Sequence, residues 1–211
     1  MRYVIWGSAG HAKVIAEVIE GAGDQVIALF DNFEVAPALE NVPLFVGEAA
    51  FRTWCRGQSD LEDLNAVVAI GGGRGADRVK LLSMFEDAGL RIPTIIHPRA
   101  VVSPSATIGQ ACQILAGSVV AAEVRLGDGC IINHNANVDH ESELGHGVHI
   151  APNATLCGCI SIGEFSFIGA GAVILPRIKV GKRAIVGAGA VVTKDVADDE
   201  VVVGCPAKKV V

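Results

Sequence analysis

One apolar position recurs every six residues through the second half of the chain. Its members are Val102, Ile108, Ile114, Val120, Leu126, Ile132, Val138, Leu144, Ile150, Leu156, Ile162, Ile168, Ile174, Val180, Val186 and Val192. All are Ile, Val or Leu. Two residues before most of them stands a small or β-branched residue, as at Ala106, Cys112, Ser118, Val124, Cys130, Ala136, Ser142, Val148 and Ala154. Glycine often follows the aliphatic, at Gly109, Gly127, Gly145, Gly163, Gly169, Gly181 and Gly187. A period of six fits neither an amphipathic helix, which repeats every 3.6 residues, nor an isolated hairpin. It fits a solenoid of short strands and tight turns. Each repeat forms one side of a triangular prism, with the aliphatic inward and the small residue in a corner. The glycines are expected to supply unusual backbone angles at the turns. Three repeats close a coil, so the column describes about five coils of a left-handed parallel β-helix. An ordinary β-sandwich would not hold one register for so long.

The composition suits that core. The chain is 51% hydrophobic but only 5% aromatic, and a narrow prism has little room for Phe or Trp. The formal net charge of −6 gives no electrostatic support for a nucleic-acid or anionic-membrane partner. The segment Met1–Ile5 runs straight into a glycine turn, unlike a signal peptide, and no apolar run is long enough to span a bilayer. Cys157 and Cys159 form one C-x-C without a second pair for zinc. Cys112 and Cys130 fall on small-residue positions of the repeat and are expected as buried thiols. This cysteine pattern fits a reducing, cytoplasmic setting.

The first part of the chain reads differently. Tyr3–Trp6 is a short strand, Gly7-Ser8-Ala9-Gly10-His11 a turn, and Ala12–Glu20 a helix with Val14, Ile15, Val18 and Ile19 on one face. Gln25–Phe30 is a second strand, followed by Asp31-Asn32. Asn65–Ile70 is a third, running into Gly71-Gly72-Gly73. Asp77–Ala88 is helical, and Arg91–Ile96 is a last strand before His97-Pro98. Strand–helix–strand order with glycine at strand ends predicts a small Rossmann-like parallel α/β domain over 1–98 and the β-helix over 99–211. The tail leaves the period at Asp198, and Gly204-Cys205-Pro206 is expected to end regular structure.

Two places could carry chemistry. At Gly7–His11 a turn between strand and helix aims backbone N–H groups at an anion. Asp31, about twenty residues on, resembles the ribose-binding acid of nucleotide sites. The full G-x-G-x-x-G fingerprint is absent, so a plain tight turn remains the alternative. Gly71–Gly73 closes a strand end on the same edge. Arg78 is either a phosphate partner or a solvated helix charge. The second place is Asn133–Glu141, where Asn133, His134, Asn135, Asn137, Asp139, His140 and Glu141 crowd together without breaking the inner column. Glu141 can orient the imidazole of His140 and raise its basicity. His134, His140 and His146 are six apart and fall on different prism sides, so one chain does not easily gather them on a metal, whereas neighbouring chains of a trimer could.

Several of these segments together resemble one family. They are Gly7–His11, Asp31-Asn32, Ala69-Ile70-Gly71, His97-Pro98 with Ser103-Pro104-Ser105-Ala106, Asp139-His140-Glu141, His149–Pro152 and Val203–Lys208. The chain resembles the sialic acid O-acetyltransferase and bacillosamine-type nucleotide-sugar N-acetyltransferase family over essentially its whole length. The resemblance implies a homotrimer with sites between adjacent β-helices, acetyl-CoA as donor, a nucleotide-linked amino sugar as acceptor and a role in glycan biosynthesis. It implies His140 as base with Glu141 as its acidic partner. It places His149 near the thioester, and Ala170 and Ala188 against pantetheine. It assigns Ala9, Gly10, His11, Asp31, Asn32, Gly71 and Asn133 to the sugar nucleotide. No metal is expected. A sugar O-acetyltransferase is the nearest rival, and a metal-dependent β-helical hydratase or a non-catalytic sugar-nucleotide-binding protein are rivals of other classes. Asn32 stands where some relatives have a second Asp, which bears on acceptor choice.

Overall fold

The computed structural model describes residues 1–210. The described residues form two compact units, one of residues 1–70 and 80–93, the other of residues 71–79 and 94–210. The divide at 93/94 precedes the expected 98/99, and the segment 71–79 belongs with the β-helix.

The first unit is a parallel sheet with flanking helices. Its strands β1 (Arg2–Trp6), β2 (Gln25–Asp31), β3 (Leu44–Val46) and β4 (Leu64–Val68) run in the order β3-β2-β1-β4, all parallel. The helices are α1 (Gly10–Gly21), α2 (Gly47–Arg56) and α3 (Gly75–Asp87), the last continuing from the second unit into the first. The pair β3–α2 was not expected, because three strand residues carry no readable period. Helix α1 buries Ala12, Ile15, Ala16 and Ile19, so its inner face is rotated toward the alanines, leaving Val14 and Val18 half-exposed. Most of the scarce aromatic residues gather here. Trp6 stacks on Phe30 at 5.8 Å between ring centres, and Phe51 meets Phe30 and Phe85 edge-on at 5.1 and 5.4 Å. Each such pair adds about 0.5–1.5 kcal/mol beyond burial.

The second unit is the left-handed parallel β-helix. Its two-residue strands stack eighteen residues apart into three sheets. Side 1 holds Thr107–Ile108, Arg125–Leu126, Glu143–Leu144, Ser161–Ile162 and Lys179–Val180. Side 2 starts at Ile95–Ile96 and continues through Gln113–Ile114, Ile131–Ile132, His149–Ile150, Phe167–Ile168 and Ile185–Val186. Side 3 holds Val101–Val102, Val119–Val120, Asn137–Val138, Thr155–Leu156, Val173–Ile174 and Val191–Val192. The aliphatic column points inward throughout and is almost fully buried from Ile114 onward, as are the residues two before it. Ile95–Ile96 pairs with Gln113–Ile114. It is therefore the first rung of the β-helix rather than the last strand of the α/β unit.

The glycines after the aliphatic column do a different job from the one expected. Their backbone angles are not left-handed; what they provide is room. A Cβ on Gly163 would lie 2.5 Å from the Lys182 nitrogen, and one on Gly145 2.7 Å from the Glu164 nitrogen, each in the coil above. Left-handed residues recur three positions after the aliphatic instead, and most are not glycine, including Glu123, Asn135, Glu141, Cys159, Phe165 and Arg183. Left-handed geometry costs a residue with a side chain about 1–2 kcal/mol. It is offset by a hydrogen bond to the coil below, from most of these amides to a carbonyl and from Glu123 to Ser105 Oγ at 3.1 Å. Glu141 N–H meets the Ala122 carbonyl at 2.9 Å, and Cys159 N–H the His140 carbonyl at 2.8 Å.

The tail continues the solenoid with a shorter step. Val196 bridges Val180, and Val202 pairs with Val186, both sixteen residues on rather than eighteen. Regular structure also outlasts Pro206, since Lys208-Lys209 pairs antiparallel with Val202-Val203. No helix among the described residues is long and apolar enough to cross a membrane.

Candidate active site

The corner between sides 3 and 1 carries Asp139-His140-Glu141-Ser142. Asp139 Oδ1 accepts the His140 N–H at 2.8 Å, and the His140 carbonyl is held by Cys159 in the coil above. Glu141 is left-handed (φ 56°), and Nδ1 of His140 lies 3.0 Å from its Oε2. An ionised carboxylate can only accept, so Nδ1 carries the proton and Nε2 presents a lone pair. The imidazole lies over Gly158, eighteen residues on. A Cβ there would come within 2.4 Å of Nε2 and 2.5 Å of Cε1. Only glycine leaves space for the ring in this position. Both side chains of the pair are more than half exposed, so the lone pair is reachable from solvent.

Asn133 and His149 form a second, buried pair within the β-helix unit. Asn133 Oδ1 accepts the His134 N–H at 2.8 Å, which orients the amide. Its Nδ2 then donates to His149 Nε2 at 3.1 Å, and His149 Nδ1 donates to the Gly72 carbonyl at 3.3 Å. His149 is 5% exposed and packs edge-on against Phe167. It ties Asn133 to the Gly71–Gly73 segment, which joins three of the sequence's candidates. Ala170 and Ala188 stack one above the other, exposed, in the corner after side 2. That corner and the His140 corner are separated by the whole of side 3.

Arg78 is neither of the things expected. Its side chain is fully buried, and it donates from Nε to the Gly129 carbonyl and from Nη2 to the Gly147 carbonyl, each at 2.7 Å. A guanidinium closed off among carbonyls is not placed to meet a phosphate. It staples the segment 71–79 to two successive coils. Burial pulls its pKa down to about 10, which still leaves it charged at neutral pH. Below it Cys112 and Cys130 are fully buried. The hydrogen bond with Cys112 and burial push the Cys130 thiol well up, as expected of unreactive core thiols.

In the first unit, Gly7 closes β1 with φ 107°, and a Cβ there would lie 2.6 Å from the Ala69 carbonyl. Ser8 N–H donates to Asp31 Oδ2 at 2.9 Å, and Phe33 N–H to Oδ1 at 3.1 Å. The glycine turn and Asp31 are therefore one structure. Ala9 caps α1 without a side-chain hydrogen bond, and Gly10 and Asn32 are exposed beside it, with His11 partly so. Sequence reasoning did not find Gly158, Cys159 or the orienting role of Ser8. The eighteen-residue step stacks the first two on His140 and Glu141, but it does not say that the imidazole turns over Gly158.

A β-helix of hexapeptide repeats with a reachable His–Glu pair on one corner, joined to a parallel α/β unit, defines a hexapeptide-repeat transferase. The PglD N-terminal domain family matches residues 2–82, and the bacterial transferase hexapeptide (six repeats) family matches residues 159–194. A search of curated proteins gives no match. Among solved structures, a His-to-Asn variant of perosamine N-acetyltransferase from Caulobacter crescentus, in complex with CoA and GDP-perosamine, is 36% identical with a TM-score of 0.90. The alignment covers 100% of this chain and 97% of that one. The acetyltransferase domain of PglB from Neisseria gonorrhoeae, in complex with acetyl coenzyme A, is 34% identical with a TM-score of 0.88, covering 99% and 98%. WeeI from Acinetobacter baumannii is 25% identical with a TM-score of 0.88, covering both chains fully. The chain belongs to the family of nucleotide-sugar N-acetyltransferases that join a PglD-type N-terminal domain to a hexapeptide-repeat β-helix.

Proposed function

We propose that this protein transfers the acetyl group of acetyl-CoA to the amino group of a nucleotide-linked amino sugar, with Nε2 of His140 as general base. The observation that carries this is the His140 geometry: Nδ1 is committed to Glu141 while Nε2 faces out over Gly158. The ligands named with the Caulobacter and Neisseria proteins support the donor and the acceptor class. GDP-perosamine is the first acceptor to try.

The reaction is direct. As the sugar nitrogen attacks the thioester carbonyl, His140 Nε2 takes its proton, and Glu141 stabilises the imidazolium that forms. Such help is worth about 10²–10⁴ in rate. CoA then leaves as the thiol, taking a proton back. Many of the left-handed corner amides are bonded to the coil below, so the oxyanion donor is to be sought among other groups. The expected sugar-nucleotide residues are Ala9, Gly10, His11, Asp31, Asn32, Gly71 and Asn133. Ala170 and Ala188 would line the pantetheine arm, with His149 holding Gly72 and Asn133 in place beside it. The Ala170/Ala188 and His140 corners lie at opposite edges of side 3 in one chain. A homotrimer packed through side 3 would bring the corner of one chain to that of its neighbour.

The test is CoA release from acetyl-CoA with GDP-, UDP- and dTDP-linked amino sugars, and a free sialic acid as control. In His140→Asn the assembly should persist while CoA release falls at least about a hundredfold. Near-normal turnover would remove His140 from the mechanism, and acetylation of the sialic acid alone would favour the O-acetyltransferase.

A further inference from the structure

Cys159 stands one coil above Glu141, and its Sγ lies 3.7 Å from Glu141 Oε2. His140 Nδ1 approaches the same oxygen at 3.0 Å. One donor atom from each of the three side chains lies within 4.8 Å of the other two. Four-coordinate zinc with bonds of about 2.0–2.3 Å spaces neighbouring donors about 3.2–3.8 Å apart. These two separations, 3.0 and 3.7 Å, fall close to that range. Imidazole, carboxylate and thiolate are the donors a borderline-soft divalent cation prefers. The ion's two charges are matched by one carboxylate and one thiolate. His140 and Glu141 are exposed and Cys159 is partly so, so an ion reaches them without rearrangement of the coils.

We propose that His140, Glu141 and Cys159 form a site for a soft divalent cation, zinc or cadmium, whose occupancy switches off the base. The cation takes the Nδ1 lone pair, which in the free protein is engaged with a proton. The neutral imidazole keeps one proton, and it moves to Nε2. The nitrogen that must accept a proton from the sugar amine then already carries one. Cys159 loses its thiol proton to solvent, and Glu141 turns from accepting the Nδ1–H to ligating the ion. The inhibitory consequence rests on His140 being the base; the binding does not.

Cadmium is the probe for binding. Chelator-treated full-length protein is titrated with Cd²⁺, and the thiolate-to-cadmium charge-transfer absorption is read in the ultraviolet without CoA present. One equivalent per chain should give the band. Cys159→Ser and Cys159→Ala should lose it, while Cys157→Ser, which keeps Cys159, retains it. Zinc is then added to the acetyl-transfer reaction, with initial rates followed by the mass of the acetylated sugar nucleotide. The native enzyme should be inhibited and restored by EDTA. Relative to its own rate in chelator, Cys159→Ser should need at least about tenfold more zinc, since loss of even an outer-shell partner costs about 10–100-fold in metal affinity. A band that survives both Cys159 variants overturns the site. A band that depends on Cys159, with transfer unaffected by zinc, overturns the switch and counts against His140 as base.

Discussion

At His140 two neighbours from different coils divide the work. Glu141 decides which nitrogen holds the proton, and Gly158 decides where the ring lies. Gly158→Ala separates the two effects. Its methyl would sit 2.4 Å from Nε2, so the imidazole must swing off the corner while the Glu141 carboxylate stays. Base catalysis should fall by about 10²-fold in kcat, with the KM for acetyl-CoA and the melting temperature little changed. Steady-state kinetics beside a thermal melt reads this directly, and undiminished kcat would count against the proposed base catalysis from this ring position. His140 and Glu141 were legible in the sequence because they are adjacent and polar in an unbroken repeat. Gly158 was not, because which side chain lies across which backbone depends on the rotamer of His140, and spacing carries no rotamer. The Asn133–His149 pair was hidden for the same reason, though each residue was singled out.

The segment 71–79 shows the same limit for a whole element. Its glycines looked like a strand end and its arginine like a phosphate partner or a solvated helix charge. In fact Gly72 is held by His149, and Arg78 is inserted between coils at Gly129 and Gly147. A planar fork with several donors satisfies two carbonyls at once, which an ammonium does poorly. Arg78→Met keeps most of the apolar stem and strands both acceptors. At about 1–3 kcal/mol for each buried unsatisfied group, the loss should be about 2–6 kcal/mol, measurable by denaturant unfolding. Loss within about 0.5 kcal/mol would mean that water reaches the carbonyls. Other elements were within reach of the pattern. Ile96 sits six residues before Val102, so the column itself pointed to the first rung. Two features lay outside any six-residue count: the shortened final coil, which steps by sixteen, and the β3–α2 pair, which has too few strand residues to show a period.

The three outer faces of the prism are unlike, and the difference bears on assembly. On side 1 the outward residues are Thr107, Arg125, Glu143, Ser161 and Lys179, all exposed, with Arg125 and Glu143 paired at 2.8 Å. Such a face is content in water. Side 2 is overlaid by the segment 71–79 around His149 and Phe167. Side 3 presents Val101, Val119, Asn137, Thr155, Val173 and Val191, without a single charge and none of them fully buried. A flat, uncharged strip flanked by the His140 corner on one edge and the Ala170/Ala188 corner on the other is what a subunit interface with shared sites requires. Val173→Glu puts a charge within that strip, where unpaired burial is costly, yet points away from the core and should leave the coils folded. Light scattering should give three chains per particle for the native protein and one for the variant. CoA release should fall with assembly, and circular dichroism should not change. A variant that stays trimeric would move the interface to another face, and a monomer with full activity would show that one chain holds the whole site.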